Sequence, residues 1–194
     1  MEIVDKKLNT DERKLLESLK GCKLEAIQGA FLFGDTEAWN TVRLNMSEFC
    51  IDINLFRESI PMDDEGSLDE TGIFSITNAP MEKLCVTAIS EDVTTKKISK
   101  IITGIRVYES EVKYFENGNQ YFQNNLIKAI AFKFDNEWMV FDRQVWFEES
   151  ITITFCCDVL DGIKDDKEDW EVGGDDENND GVLTMEYKLI SHDI

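Results

Sequence analysis

Histidine is almost absent from this sequence: His192 is the only one among 194 residues. The serine and cysteine side chains therefore lack the usual base that would activate them as nucleophiles. The sequence also lacks a Cys-x-x-Cys pair, a Gly-x-Gly-x-x-Gly loop and a phosphate-binding Gly-x-x-x-x-Gly-Lys loop. These absences predict a protein that is not an enzyme and that has no catalytic residues, no metal site and no cofactor.

Long apolar runs are missing as well, since none approaches the roughly 20 residues that a membrane-spanning helix needs. The N-terminus lacks the basic-then-apolar order of a secretory signal. The five cysteines have no spacing typical of a disulfide framework, which indicates free thiols in a reducing compartment. We expect a cytoplasmic protein that does not interact with a membrane.

Basic side chains are scarce, because 20 Lys and Arg stand against 40 Asp and Glu, a formal net charge of -20. This balance disfavours nucleic acid as a partner, since phosphates are bound largely by Lys and Arg. Most of the excess lies in two stretches, 58–70 and 158–181. The first has six acidic and no basic residues, and the second has eleven acidic residues against Lys164 and Lys167. We interpret both as acidic loops.

What the sequence does contain is mostly the alternation of apolar and polar residues that is typical of half-buried β-strands. One short helix is predicted from Asn9, where Glu12 completes a capping box and Gly21 supplies the stop. A single extended run is predicted over 98–115, with a bulge or a bend near Ser110. The predicted fold is mainly β, an antiparallel β-sandwich or a partly open barrel with one short N-terminal helix, formed by residues 1–194 as a single domain.

Two parts of the chain resemble each other. Leu19-x-Gly21-x-x-Leu24 recurs as Ile102-x-Gly104-x-x-Val107, and an alternating hairpin follows each copy. Two explanations stand side by side: chance similarity between hairpins, or duplicated β-units at 19–56 and 102–147.

An aromatic residue lies inside the densest acidic stretch. Trp170 is surrounded by carboxylates, and an aromatic anchor within a charged rim is a common hot-spot arrangement at interfaces. The alternative is that Trp170 packs onto its own domain. The segment from Asp176 to Gly181 resembles half of a calcium-binding loop, but Tyr187 stands where the bidentate Glu belongs, so a solvated turn is the better interpretation. The predicted partner-binding residues are Asp165, Asp166, Asp169, Trp170, Glu171, Asp175 and Asp176.

The resulting hypothesis is a soluble intracellular acidic protein that captures or neutralises a basic protein partner. Its most specific form is an immunity protein against a bacterial toxin. An alternative is a self-associating structural or assembly protein, suggested by the stretch 138–147 with large apolar residues on both faces. A third is a carrier of a small ligand between the sheets.

Overall fold

A computed structural model describes residues 2–32, 36–61, 68–82, 93–143, 149–165, 167 and 183–194. These residues form eleven β-strands, one α-helix and a 3₁₀ turn at Val159–Gly162. None of the described helices is long and apolar enough to cross a membrane. The predicted fold class, mainly β with antiparallel strands and one short helix, is confirmed. The elements are β1 (Glu2–Lys6), α1 (Thr10–Glu17), β2 (Lys23–Leu32), β3 (Glu37–Asn45), β4 (Cys50–Pro61), β5 (Leu68–Ala79), β6 (Thr94–Ile101), β7 (Gly104–Glu116), β8 (Asn119–Lys133), β9 (Trp138–Arg143), β10 (Ser150–Cys156) and β11 (Leu183–Asp193).

Helix α1 begins where the sequence predicts. The Asn9 side chain accepts hydrogen bonds from the backbone N–H groups of Asp11 and Glu12, at 2.9 and 3.0 Å. Glu12 Oε2 accepts in return from the Asn9 N–H at 2.8 Å, which completes the capping box. The other oxygen, Oε1, accepts from the N–H of Ile76 in β5 at 3.0 Å. One glutamate therefore caps the helix and ties it to the sheet.

The strands follow the same order in two units. In the first unit, β2 to β5 form a meander and β6 returns to pair with β2. In the second, β7 to β10 form a meander and β11 returns to pair with β7. The units join where β3 pairs with β10, and β1 adds to β8 as the one parallel pair in the described sheet.

The predicted hairpins occupy equivalent places in the two units. In the first, the β3–β4 turn is closed by the Met46 N–H donating to the Phe49 carbonyl at 3.0 Å. In the second, the β8–β9 turn is closed by the Phe134 N–H donating to the Glu137 carbonyl at 2.9 Å. The units themselves run from β2 to β6 and from β7 to β11, and so extend beyond the predicted boundaries. Their origin by duplication stays a prediction.

Both units contribute to one hydrophobic core. Its buried side chains come from β2 to β5, from β7 to β10, and from Leu16 and Leu19 at the helix. Two smaller clusters lie elsewhere, one around Val112 and Phe122 and one around Val140. Because the main cluster draws on both units, neither unit has a separate large core of its own.

Several predicted boundaries were wrong. The extended run 98–115 is two strands, β6 and β7, because the chain breaks at residues 102 and 103. The expected bulge lies between Tyr108 and Glu109, but the extra residue is Lys128 in the partner strand. The first acidic stretch is only partly a loop, since 58–61 continue β4 and 68–70 begin β5. Strand β1 was not predicted.

Candidate functional site

The 3₁₀ turn follows β10 and begins the second acidic stretch. Asp158 caps it, since its Oδ1 accepts a hydrogen bond from the Leu160 N–H at 3.0 Å. Gly162 packs against the sheet so closely that a Cβ there would lie 2.8 Å from Val140 Cγ2. Asp158 thus caps the turn, and Gly162, which has no side chain, allows the turn to pack directly on β9.

A buried ion pair holds the chain just after the turn. The Lys164 N–H donates to Asp142 Oδ2 at 3.1 Å, and the Asp142 side chain is almost fully buried in β9. The other carboxylate oxygen lies 3.2 Å from the Nζ of Lys128, which is also buried and donates to the Arg143 carbonyl. The chain just after the turn is therefore fixed to a buried carboxylate of β9.

The turn directs an apolar side chain into solvent. Leu160 is 56% exposed, although most leucines of this protein's described part lie in its core. The carboxylates of Asp158, Asp161 and Asp165, all on exposed residues, come from the same short segment. Single exposed apolar side chains are common on protein surfaces, so the feature specific to Leu160 is its place on an anchored turn among acidic residues.

A cleft of about 220 Å³ lies between the turn and β11. Leu160 and Ile163 form its wall on the side of the turn, and Tyr187 and Leu189 form the wall on β11. Among the described residues, Lys164 and Asp165 also line the cleft.

Asp165 is the predicted site residue that the structure places at this cleft. It is exposed, and its Oδ1 accepts from the Lys167 N–H at 3.0 Å. The other predicted residues lie outside the described part of the chain: Asp166, Asp169, Trp170, Glu171, Asp175 and Asp176. Leu160, Tyr187 and Leu189 were not predicted from the sequence. Leu160 is a single leucine in an acidic stretch, and nothing around it indicates that it is exposed. Tyr187 and Leu189 belong to an alternating strand, whose pattern does not indicate that they lie beside the turn.

The Cys156 thiol at the end of β10 has a raised pKa. Burial raises the pKa of Cys156, and the carboxylates of Asp161 and Asp158 raise it further. Cys22, Cys50 and Cys157 are likewise free thiols. Within the described residues, no three His, Cys, Asp or Glu side chains come together as metal ligands.

His192 lies beside a buried carboxylate. Its Nε2 lies 3.2 Å from Oε2 of Glu109, a carboxylate that is only 2% exposed. Arg13 and Lys7 bind the same carboxylate at 2.7 and 3.3 Å. Glu109 therefore joins β7 to β11 and to the N-terminal segment, which gives the histidine a structural role.

The apolar stretch 138–147 is covered within the chain as far as it is described. Met139 and Phe141 enter the main core, while Val140 on the opposite face packs under Gly162 of the turn. Residues 144–147 lie outside the described part. Burial thus explains the two-sided pattern of strand β9.

Known proteins do not identify the site. The chain matches no protein-family model, no curated protein and no solved structure. We therefore infer a function from the 3₁₀ turn, from the hydrogen bond between Lys164 and Asp142, and from the cleft beside the turn.

Proposed function

We propose that this protein captures or neutralises a basic protein partner through the 3₁₀ turn and the cleft beside it. The observation that carries the proposal is Leu160, a large apolar side chain held in solvent among carboxylates. Interfaces commonly combine an apolar centre with a charged rim, and a few central residues supply most of the binding energy. Leu160 suits the centre, and Asp158, Asp161 and Asp165 suit the rim.

The anchoring of the turn supports the same proposal. Immobilising a loop on binding costs about 0.5–1.5 kcal/mol per ordered side chain. Here the turn is already fixed by its cap, by Gly162 against Val140 and by the bond from Lys164 to Asp142. A partner would therefore meet a contact surface that needs little further ordering.

The net charge of the whole chain favours a basic partner. With a net charge of -20, concentrated partly in the stretch that begins at this turn, the protein attracts basic surfaces from a distance and repels acidic ones. An intracellular immunity protein, whose acidic residues occupy the basic groove of a bacterial toxin such as a nuclease, is the specific form that we propose.

Self-association is the competing proposal. Its sequence support was the two-sided apolar stretch 138–147, in which Met139, Val140 and Phe141 are buried within one chain and Trp138 is partly buried.

The experiment is site-specific photo-crosslinking in the organism that makes the protein. A photoreactive amino acid replaces Leu160 in one variant and Leu68 in the other; Leu68 is a matched control because it is 65% exposed but lies on β5. We expect position 160, and not position 68, to trap one dominant basic protein. An acidic protein, a second copy of this chain, or the same pattern from both positions would contradict the proposal.

Affinity for the trapped partner gives the quantitative test. Leu160→Ser should weaken binding about 30-fold, the equivalent of about 2 kcal/mol for an interface anchor, while Leu68→Ser should not. Changing Asp161 and Asp165 to Asn should slow association and reduce its dependence on salt. Biolayer interferometry at two salt concentrations separates these effects.

A further inference from the structure

We infer that the cleft between the turn and β11 receives an arginine side chain of the basic partner. This inference rests on the proposed function and names the group that the site recognises. The size of the cleft is the first observation in its favour. Small-molecule pockets commonly measure about 300–1,000 Å³. At about 220 Å³ the cleft is smaller than that range and suits one long side chain.

The walls of the cleft fit the stem and the head of arginine. Leu160, Ile163 and Leu189 offer apolar surface to a methylene stem, which long basic side chains bury readily. A guanidinium is more weakly hydrated than an ammonium, and it packs against aromatic rings such as that of Tyr187. Lysine would lose more hydration free energy on entering the same walls.

The charges at the cleft favour a planar cation, with one opposing group. Asp165 lines the cleft, and Asp158 and Asp161 lie on the adjoining turn. Carboxylates can bind a guanidinium through two parallel hydrogen bonds, which an ammonium cannot form. Lys164 also lines the cleft and would repel the incoming cation, so removing its charge should strengthen the binding of arginine.

Two fluorescent peptides of equal charge, hexa-arginine and hexa-lysine, test the inference on the full chain by fluorescence anisotropy at physiological salt. Equal charge gives both peptides the same long-range attraction to the acidic stretch, so their affinity ratio reports short-range recognition of the guanidinium, which variants of the cleft then localise. We expect hexa-arginine to bind about tenfold more tightly, a difference of the size that one well-placed guanidinium supplies.

Three variants of cleft residues and one control variant assign that preference to the cleft. Leu160→Ser and Leu189→Ser should bring the two affinities within about twofold of each other, since both remove apolar wall. Leu68→Ser is the matched control and should leave the ratio unchanged. Lys164→Gln should strengthen hexa-arginine binding about twofold or more by removing a like charge. Because Leu160 is exposed, Leu160→Ser keeps the test valid even if Leu189→Ser disturbs folding.

Equal affinities in the unaltered protein would overturn the inference, as would a preference that survives both leucine changes. A weaker hexa-arginine complex in Lys164→Gln would do the same. Failure here is separable from failure of the proposed function: a basic partner trapped at position 160 without any arginine preference removes the inference alone. An acidic partner or a second copy at position 160 removes both.

Discussion

Asn124 is fully buried in β8, yet among the residues that the structure describes neither its Oδ1 nor its Nδ2 has a hydrogen-bond partner. Val4 and Val112 face it from the neighbouring strands. A buried amide without partners costs about 1–3 kcal/mol, so Asn124→Leu should raise the free energy of unfolding by about that amount.

The adjacent residue provides the control. Asn125 is also buried, but its Oδ1 accepts from Gln123 Nε2 at 2.8 Å, so Asn125→Leu should lower stability by about 0.5–1.5 kcal/mol. Urea unfolding followed by circular dichroism measures both changes. A destabilised Asn124→Leu variant beside an unaffected Asn125→Leu variant would contradict this account.

The buried pair of Lys128 and Asp142 should behave asymmetrically. Lys128→Met leaves a buried carboxylate without its cation, which should cost about 3–5 kcal/mol. Adding Asp142→Leu should recover much of that loss, because the unpaired charge is then gone. A double-mutant cycle in urea measures the coupling, and additive losses would show that the two side chains act independently.

The 3₁₀ turn depends on one glycine. In Gly162→Ala the new Cβ would lie within 2.8–2.9 Å of the Val140 side chain and 3.2 Å from Cys156 Sγ. The turn must then lift from β9, so we expect a loss of about 1–3 kcal/mol and faster thiol labelling of Cys156.

Gly104 at the start of β7 is the matched control. A Cβ there would meet nothing closer than Lys133 Cβ at 3.5 Å, an ordinary contact. Gly104→Ala should therefore leave both the melting temperature and the labelling of Cys156 nearly unchanged. Equal effects of the two alanines would mean that the packing of the turn is not what matters.

Elements with a local signal were predictable from the sequence. The capping box at Asn9 and the turn at Asn117–Gly118, whose φ angles are 50° and 80°, are set by neighbouring residues. Strand β1 was not predictable, because it is five residues long and its partner in β8 is more than a hundred residues away. The break between β6 and β7 was missed because apolar residues continue through it.

The candidate site was predictable only in its charge. The acidic stretch and Asp165 follow from composition alone. The exposure of Leu160 depends on how the turn sits on β9, and the cleft depends on β11 returning beside β7. Both are tertiary facts, which no periodicity in the sequence encodes.

For the whole molecule, the shared core predicts one cooperative unfolding transition. Although the strand order repeats, the main cluster contains side chains from both units, so neither unit should persist alone. A variant whose only tryptophan is Trp39 reports the unfolding of the first unit by fluorescence. A variant whose only tryptophan is Trp138 reports the unfolding of the second. Their urea midpoints should agree with that from circular dichroism, and two separated midpoints would contradict the shared core.

The parallel pairing of β1 with β8 has a consequence for biosynthesis. Glu2–Lys6 lie beside Phe122–Leu126, and the segment that carries them is also tied to Glu109 through Lys7 and Arg13. Translation adds about 5–20 residues per second, so on the order of ten seconds separates the synthesis of the two strands. Throughout that interval Glu2–Lys6 lack the strand with which they pair, so β1 can form only after Phe122–Leu126 have been synthesised and the second unit has begun to fold.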